Sequence, residues 1–216
     1  MRFRDRDDAG RRLGETLAAR VPDPTGVVVL GLPRGGVPVA RHVANALGAP
    51  LDVLCVRKLG LPSRPEFGMG AIGEGDVCVL DRNVVARAGV SEAAIDEVVR
   101  RERAELLRRT ERYRGDRPPL SLTDRIAIIV DDGLATGSTA RAALRVARAM
   151  GARRVVLAVP VAPPDTVTAL REVADDVFAL STPSRFTAVG EWYDDFAPTT
   201  DAEVIASLDA HRRMRC

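Results

Sequence analysis

Short, almost wholly apolar runs alternate with stretches of helical periodicity along most of the chain, and this alternation constrains the fold more than any other feature. The runs are "GVVVLGL" (26–32), "LDVLCV" (51–56), "DVCVLD" (76–81), "RIAIIV" (125–130), "RVVLAVPV" (154–161) and "DVFAL" (176–180). Each is too short for a buried helix and too continuously apolar for a strand with one wet face. Helices are predicted over 5–21, from the turn after 32 to the glycine at 48, over 91–115 and 138–150, near 164–174, and from about 201. Buried strands joined by helices predict a doubly wound α/β fold around a mostly parallel sheet, with right-handed crossovers. At 216 residues the chain has room for one such domain, residues 1–216, with a core at about 26–181.

Aromatic residues make up only 4% of the chain, so the core must be built from Val, Leu, Ala and Ile. A net charge of +2 gives no electrostatic case for nucleic-acid binding. Lys58 is the only lysine, in a chain that otherwise uses Arg. Cys55, Cys78 and Cys216 are scattered, without metal-ligand spacing, and the first two sit in apolar runs, where buried, inert thiols are expected. No apolar run approaches the roughly 20 residues of a membrane span, and "MRFRDRDDAGRRLG" lacks the apolar stretch of a signal peptide. The expectation is a cytoplasmic protein without a membrane partner. His42 and His211 fall on predicted helices with no acidic or Cys partner near in sequence, so neither reads as a ligand or base.

Two segments exceed what a plain βα repeat needs. Residues 57–75, "RKLGLPSRPEFGMGAIGEG", are rich in Gly and Pro without periodicity and predict a long loop, with at most a short strand at 70–72. The 91–115 helix, capped by Ser91, carries Ala94, Ile95, Val98, Val99, Leu106 and Leu107 as a candidate buried stripe. Its dense charges read as a solvated face, and the helix as a lid or a dimer surface.

The stretch "IIVDDGLATGST" (128–139) carries chemistry. It lies at the carboxyl end of a predicted strand, where sheets of this class bind ligands. Gly133 and Gly137 allow successive N–H groups to face one point, Thr136, Ser138 and Thr139 add hydroxyls, and a helix N-terminus follows. That is a cradle for a phosphate monoester. The glycine spacing is not that of a Walker A loop, and no Lys is present. Asp131 and Asp132 would repel a phosphate, so they should face a sugar diol or a divalent ion bridging to one. A phosphate and a diol one sugar apart describe a 5-phosphoribosyl group. The bland alternative is a capped loop whose acids only satisfy backbone donors.

The string "VDDGLATGST" resembles the 5-phosphoribosyl-1-pyrophosphate (PRPP) signature of type I phosphoribosyltransferases, in its adenine-branch version. "GLPRGGVPVA" (31–40) is similar to the family's pyrophosphate loop, and "LCVRKLGLP" (54–62) to the basic pair that opens its mobile loop. The resemblance implies the type I fold, with a mobile loop at 59–75 and a hood or lid from the 82–118 insertion and the C-terminal segment 182–216. It implies a 5-phosphate on Ala135, Thr136, Gly137, Ser138 and Thr139, and ribose hydroxyls on Asp131 and Asp132. Pyrophosphate would meet Arg34, Gly35, Gly36, Arg57 and Lys58, with Mg²⁺ held indirectly through PRPP near the two acids. A nucleobase-like acceptor would stack on Phe186 or Trp192, with Tyr193, Asp194 and Asp195 nearby. Glu66, or else Glu74, would be a loop acid near the reaction. Type I relatives are commonly dimers, so a homodimer is implied. Ala135 and the lysine-free strand at 154–161 depart from the 6-oxopurine pattern. The leading expectation is a Mg²⁺-dependent salvage-type transferase. The alternatives are a PRPP-sensing regulator without catalysis, and an unrelated phosphate-binding protein if Asp131 and Asp132 are buried and internally paired.

Overall fold

A computed structural model describes residues 1–21 and 23–215, so Cys216 lies outside the described residues. In chain order, the first half comprises α1 (Arg6–Ala18), β1 (Val27–Gly31), α2 (Gly36–Leu47), β2 (Leu51–Val53), β3 (Val56–Leu61), β4 (Arg64–Gly73) and β5 (Cys78–Leu80). Two helices follow, α3 (Arg82–Ala88) and α4 (Glu92–Arg114). The rest is β6 (Ile126–Val130), α5 (Ser138–Ala149), β7 (Arg154–Val161), α6 (Pro164–Leu170), β8 (Asp176–Ser181), a short 3₁₀ turn at Val189–Trp192, and α7 (Asp201–Arg215).

Five strands form a parallel sheet in the order β2-β1-β6-β7-β8, and alternate residues feed two cores. Val27, Val29, Ile128, Val130, Val156 and Ala158 face the side covered by α1, α2 and α7. Val28, Leu30, Ala127, Ile129, Val155 and Leu157 face α5 and α6. Burial on both faces explains the unbroken apolar runs of β1, β6 and β7, whereas β8 at the edge is only half-buried. At roughly 25 cal/mol per Å² of apolar surface removed from water, these two cores supply the main drive to fold. The order places β1 and β6 side by side at the centre, so the loops that follow them lie next to each other.

Residues 57–75 are not a loop. They form an antiparallel hairpin of β3 and β4, and β5 adds to its edge to make a second, three-stranded sheet. The run at 76–81 therefore extends the hairpin and not the parallel sheet. Glycines at 60, 68, 70 and 73 interrupt the side-chain alternation, and register shifts after Leu59 and Gly60 reset it, which hid the strand periodicity. Leu59, Met69 and Ile72 are buried beneath it, but Cys78, expected buried like Cys55, is exposed because β5 is an edge strand.

Ser91 caps α4 as expected, its side chain accepting from the Ala94 N–H. Ile95, Val98 and Leu106 are buried, but Leu107 is 55% exposed, and Tyr113 and Arg114 complete the stripe instead. Arg114 sits between the buried carboxylates of Asp52 and Glu74 and donates to the Val53 carbonyl at 2.9 Å. This pins the end of α4 to β2 and to the end of the hairpin. The Tyr113 hydroxyl donates to Asp201 at 2.7 Å and ties α4 to α7. His42 has an acidic partner after all: its Nε2 lies 3.0 Å from Asp7, brought in by α1. Burial holds its pKa below the ordinary value despite that carboxylate.

Candidate active site

The loop between β6 and α5 meets the solvent at the carboxyl edge of the sheet. Ala135, Thr136, Ser138 and Thr139 are exposed, and Gly137 takes φ = +69° to turn the chain into α5. A side chain there would force this left-handed conformation at a cost, which is why glycine fits. Thr166 Oγ1 donates to the Ala135 carbonyl at 2.8 Å and ties it to α6. Among the described residues, the N–H groups of Ala135, Thr136, Gly137 and Thr139 donate to no protein acceptor. Open amides ahead of a helix N-terminus make an anion cradle.

Asp131 and Asp132 directly precede this cradle, and the loop between β1 and α2 packs against them. The Pro33–Arg34 peptide is cis. Gly35 and Gly36 approach so closely that a Cβ on Gly36 would stand 2.6 Å from the Val130 carbonyl and 2.8 Å from Asp131 Cα. A Cβ on Gly35 would overlap the Asp132 carboxylate. Arg34 is exposed, close enough to Asp201 that its charge helps hold that carboxyl low, after the Tyr113 hydrogen bond and Arg112. Asp131 accepts from the Asp132 N–H at 2.9 Å. Its burial, then the neighbouring Asp132 charge, pushes the Asp131 pKa well above the usual carboxylate range.

One site residue has no signal in the sequence. Arg6, 126 residues away, places Nε 2.8 Å from Asp132 Oδ2, with both side chains about 15% exposed or less. Its Nη1 donates to the Ala197 carbonyl at 2.7 Å, and its guanidinium lies 4.0 Å over the Phe196 ring. The N-terminus is one of several Arg-rich stretches, so nothing in its composition marks Arg6. Asp132 is thus internally paired, which meets half of the condition set for an unrelated phosphate-binding protein.

The second cation group lies on the hairpin. Lys58 stands opposite Ala71 in the hairpin, and its Nζ reaches along β4 to donate to the Glu66 carbonyl at 3.3 Å. Lys58 and Glu66 both line a cavity of about 440 Å³ with Pro33, Arg57 and Thr139, so this hollow joins the three sequence motifs. Arg57 reaches Glu102 of α4, with Nη2 at 2.6 Å and Nε at 2.9 Å. Glu74 is not a catalytic candidate. It is buried, bound to Arg114, and accepts from the Cys55 N–H at 3.2 Å.

Residues 182–200 fold over the β6–α5 loop. N-terminal residues that the sequence left unplaced complete this cover: Phe3 pairs with Tyr193, and its N–H donates to the Trp192 carbonyl at 2.8 Å. Tyr193 is buried and does not line an open pocket. Its hydroxyl donates to the Asp132 carbonyl at 2.6 Å, buttressing the acid pair, and burial raises its pKa. Asp194 pairs with Arg2 on the surface, and Asp195 accepts from the Ala197 N–H. The rings of Phe186 and Trp192 lie nearly parallel, 8° apart in plane with centroids at 6.5 Å. α3 and α4 pack against the hairpin, and α4 also meets α7 of the C-terminal segment.

Among the described residues no cluster of three or more His, Cys, Asp and Glu could hold a metal ion. The described residues thus form no cage for a resident metal, and two adjacent carboxylates suit an ion that arrives with its own oxygen ligands. No helix among the described residues is long and apolar enough to cross a membrane.

A family model described as a phosphoribosyl transferase domain matches residues 13–195. A Mycobacterium tuberculosis protein, found in strains CDC 1551 and H37Rv and provisionally named a phosphoribosyl transferase, is 56% identical over 211 residues. The match covers 97% of this chain but 47% of that protein, so the chain spans about half the length of these relatives. The crystal structure of TT1426 from Thermus thermophilus is 48% identical, with a TM-score of 0.89 over 96% of this chain and 98% of that one. The AQ2163 protein of Aquifex aeolicus shares the fold at 13% identity, with a TM-score of 0.51 over 86% of this chain and 78% of its own. The open cradle, the acid pair beside it, and these matches agree: the chain belongs to the phosphoribosyltransferase family and has its type I fold.

Proposed function

We propose that this chain transfers the 5-phosphoribosyl group of PRPP to a nitrogenous base and releases pyrophosphate, as a salvage-type, Mg²⁺-dependent cytoplasmic enzyme. One observation carries the reading: the open amides of residues 135–139 follow directly on the acid pair, the acid pair packs against the 33–36 loop, and Pro33 and Thr139 from these two loops line one cavity with Lys58. The provisional name of the M. tuberculosis relative agrees with it.

In this reading the 5-phosphate sits on the amides and hydroxyls of residues 135–139, and the helix N-terminus complements its charge. Asp131 and Asp132 accept from the ribose hydroxyls, which fixes the sugar without touching its reacting carbon. The main chain at Arg34–Gly36 and the cations Lys58 and Arg57 take the pyrophosphate, so negative charge building on the leaving group meets fixed donors. Mg²⁺ bound with PRPP would further neutralise that leaving group. The acceptor enters opposite the pyrophosphate, beneath the 182–200 cover, with Phe186 and Trp192 as its stacking surfaces and Glu66 as the hairpin acid beside Lys58 on the leaving side. No covalent enzyme intermediate is needed; positioning and charge stabilisation lower the barrier. The hairpin excludes water that would otherwise hydrolyse PRPP. A homodimer is part of the proposal, and nucleic acid is not among its partners.

The Arg6–Asp132 pair favours a second reading, a PRPP sensor without turnover, because one oxygen of the second acid is already occupied. Purified protein incubated with labelled PRPP, Mg²⁺ and a panel of nucleobases separates the two. Pyrophosphate release with one base supports the transferase. Tight PRPP binding without release from any base supports the sensor.

A further inference from the structure

The charge run of α4 is not wholly a solvated face. Arg101, Glu102 and Arg109 turn toward the 440 Å³ cavity that Lys58, Arg57 and Thr139 also line. Glu102, 14% exposed, holds Arg57 through Oε2 and accepts from Arg101 Nε at 3.3 Å through Oε1. Arg109 is held by Glu105, again through its Nε, at 2.8 Å. The carboxylates thus grip the inner nitrogens of Arg101 and Arg109. Among the described residues the outer nitrogens of both guanidiniums make no hydrogen bond to protein. Four cations, Arg57, Lys58, Arg101 and Arg109, share the cavity with two carboxylates, Glu66 and Glu102. Such a wall suits a ligand with several negative charges, and planar guanidiniums match phosphate oxygens in pairs.

We propose that α4 is part of the active site: Arg101 and Arg109 form a second cationic wall of the leaving-group pocket, and Glu102 is a positioning residue that aims Arg57 into it. This rests on the transferase reading and extends it to residues outside the three motifs. It also gives the insertion a role. Arg114 and Tyr113 anchor the end of α4, so the arginines one and more turns earlier stand on a fixed element.

Calorimetry with inorganic pyrophosphate and, separately, ribose 5-phosphate tests the proposal on the full chain with Mg²⁺. Arg101→Ala with Arg109→Ala weakens pyrophosphate at least about tenfold, the loss of roughly one charge-assisted contact. Ribose 5-phosphate, held by the 135–139 loop, stays within about twofold of the parent and reports an intact fold. Removing a carboxylate beside an anion should tighten binding on charge alone. Glu102→Ala nevertheless weakens pyrophosphate, by about threefold or more, because Arg57 loses its support. Glu102→Gln, which keeps an acceptor for Arg57, binds at least as well as the parent. A double-alanine variant with unchanged pyrophosphate affinity overturns the cationic wall and leaves the transferase reading standing. Tighter pyrophosphate binding by Glu102→Ala overturns the positioning role. A parent that binds neither ligand overturns both this proposal and the reading beneath it.

Discussion

Gly36→Ala tests whether the cleft depends on two loops in direct contact. Gly36 opens α2 with an ordinary helical backbone, so intrinsic propensity favours the substitution by roughly 0.5–1 kcal/mol. Packing opposes it. The new methyl would stand 2.6 Å from the Val130 carbonyl and 2.8 Å from Asp131 Cα, where ordinary contact begins at 3.4 Å. Both are main-chain atoms at the end of a central strand flanked by β1 and β7, so they cannot yield. The 33–36 loop must retreat instead, by roughly 0.8 Å, at an overpacking cost of about 1–3 kcal/mol. After the helix gain, the net loss is up to about 2.5 kcal/mol, or up to roughly 10 °C in Tm for a chain this size. A displacement near 1 Å in a group meant to receive the leaving pyrophosphate lowers kcat/KM on the order of 100-fold. Thermal unfolding and PRPP turnover on the same preparation check both numbers. A variant with raised Tm and kcat/KM within twofold of the parent would refute the claim that these loops form one site.

Arg114→Met leaves Asp52 and Glu74 buried without their cation and should cost about 3–5 kcal/mol; denaturant unfolding measures it, and a loss below about 1 kcal/mol would show that the carboxylates find other partners. Lys58→Ala should slow turnover on the order of 100-fold while leaving ribose 5-phosphate affinity within about twofold, because its partner is the leaving group; equal losses in both would remove the pyrophosphate role. Asp131→Asn should stabilise the fold at neutral pH. Its raised carboxyl means the folded state holds the proton more tightly than the unfolded chain, whose value is near 3.8. Stability therefore falls as pH rises from that value through the folded pKa, and Asn, which cannot ionise, abolishes the loss. Parent and variant should unfold at equal temperatures in strong acid and diverge above it; parallel curves would show that Asp131 is not held protonated.

The parallel sheet was legible because strands buried on both faces write themselves as unbroken apolar runs, and "RVVLAVPV" marks the bounds of β7 to the residue. The 135–139 cradle was legible because glycine and hydroxyl residues at fixed spacing have few other uses. The hairpin was not, since its glycines and bulges erase the alternation by which strands are read. Arg6 was invisible for a different reason. Its partner is 126 residues away, and one arginine among many carries no mark until the fold brings α1 over the sheet edge. Glu74 and Glu66 were equal candidates in sequence; only the Arg114 contact shows that Glu74 is a structural ion. Leu107 shows the limit of helical periodicity, because a helix packed along one edge leaves some positions of its apolar stripe in water.

Calorimetry of PRPP with Mg²⁺ on the parent and on the Asp131→Asn, Asp132→Asn double variant reaches the central claim most directly. Loss of affinity on the order of 100-fold or more, with inorganic phosphate still bound no more weakly than by the parent, is the expected result. Equal PRPP affinity in the two proteins would mean that the acids do not hold the ribose, and the cleft would have to be assigned to another ligand.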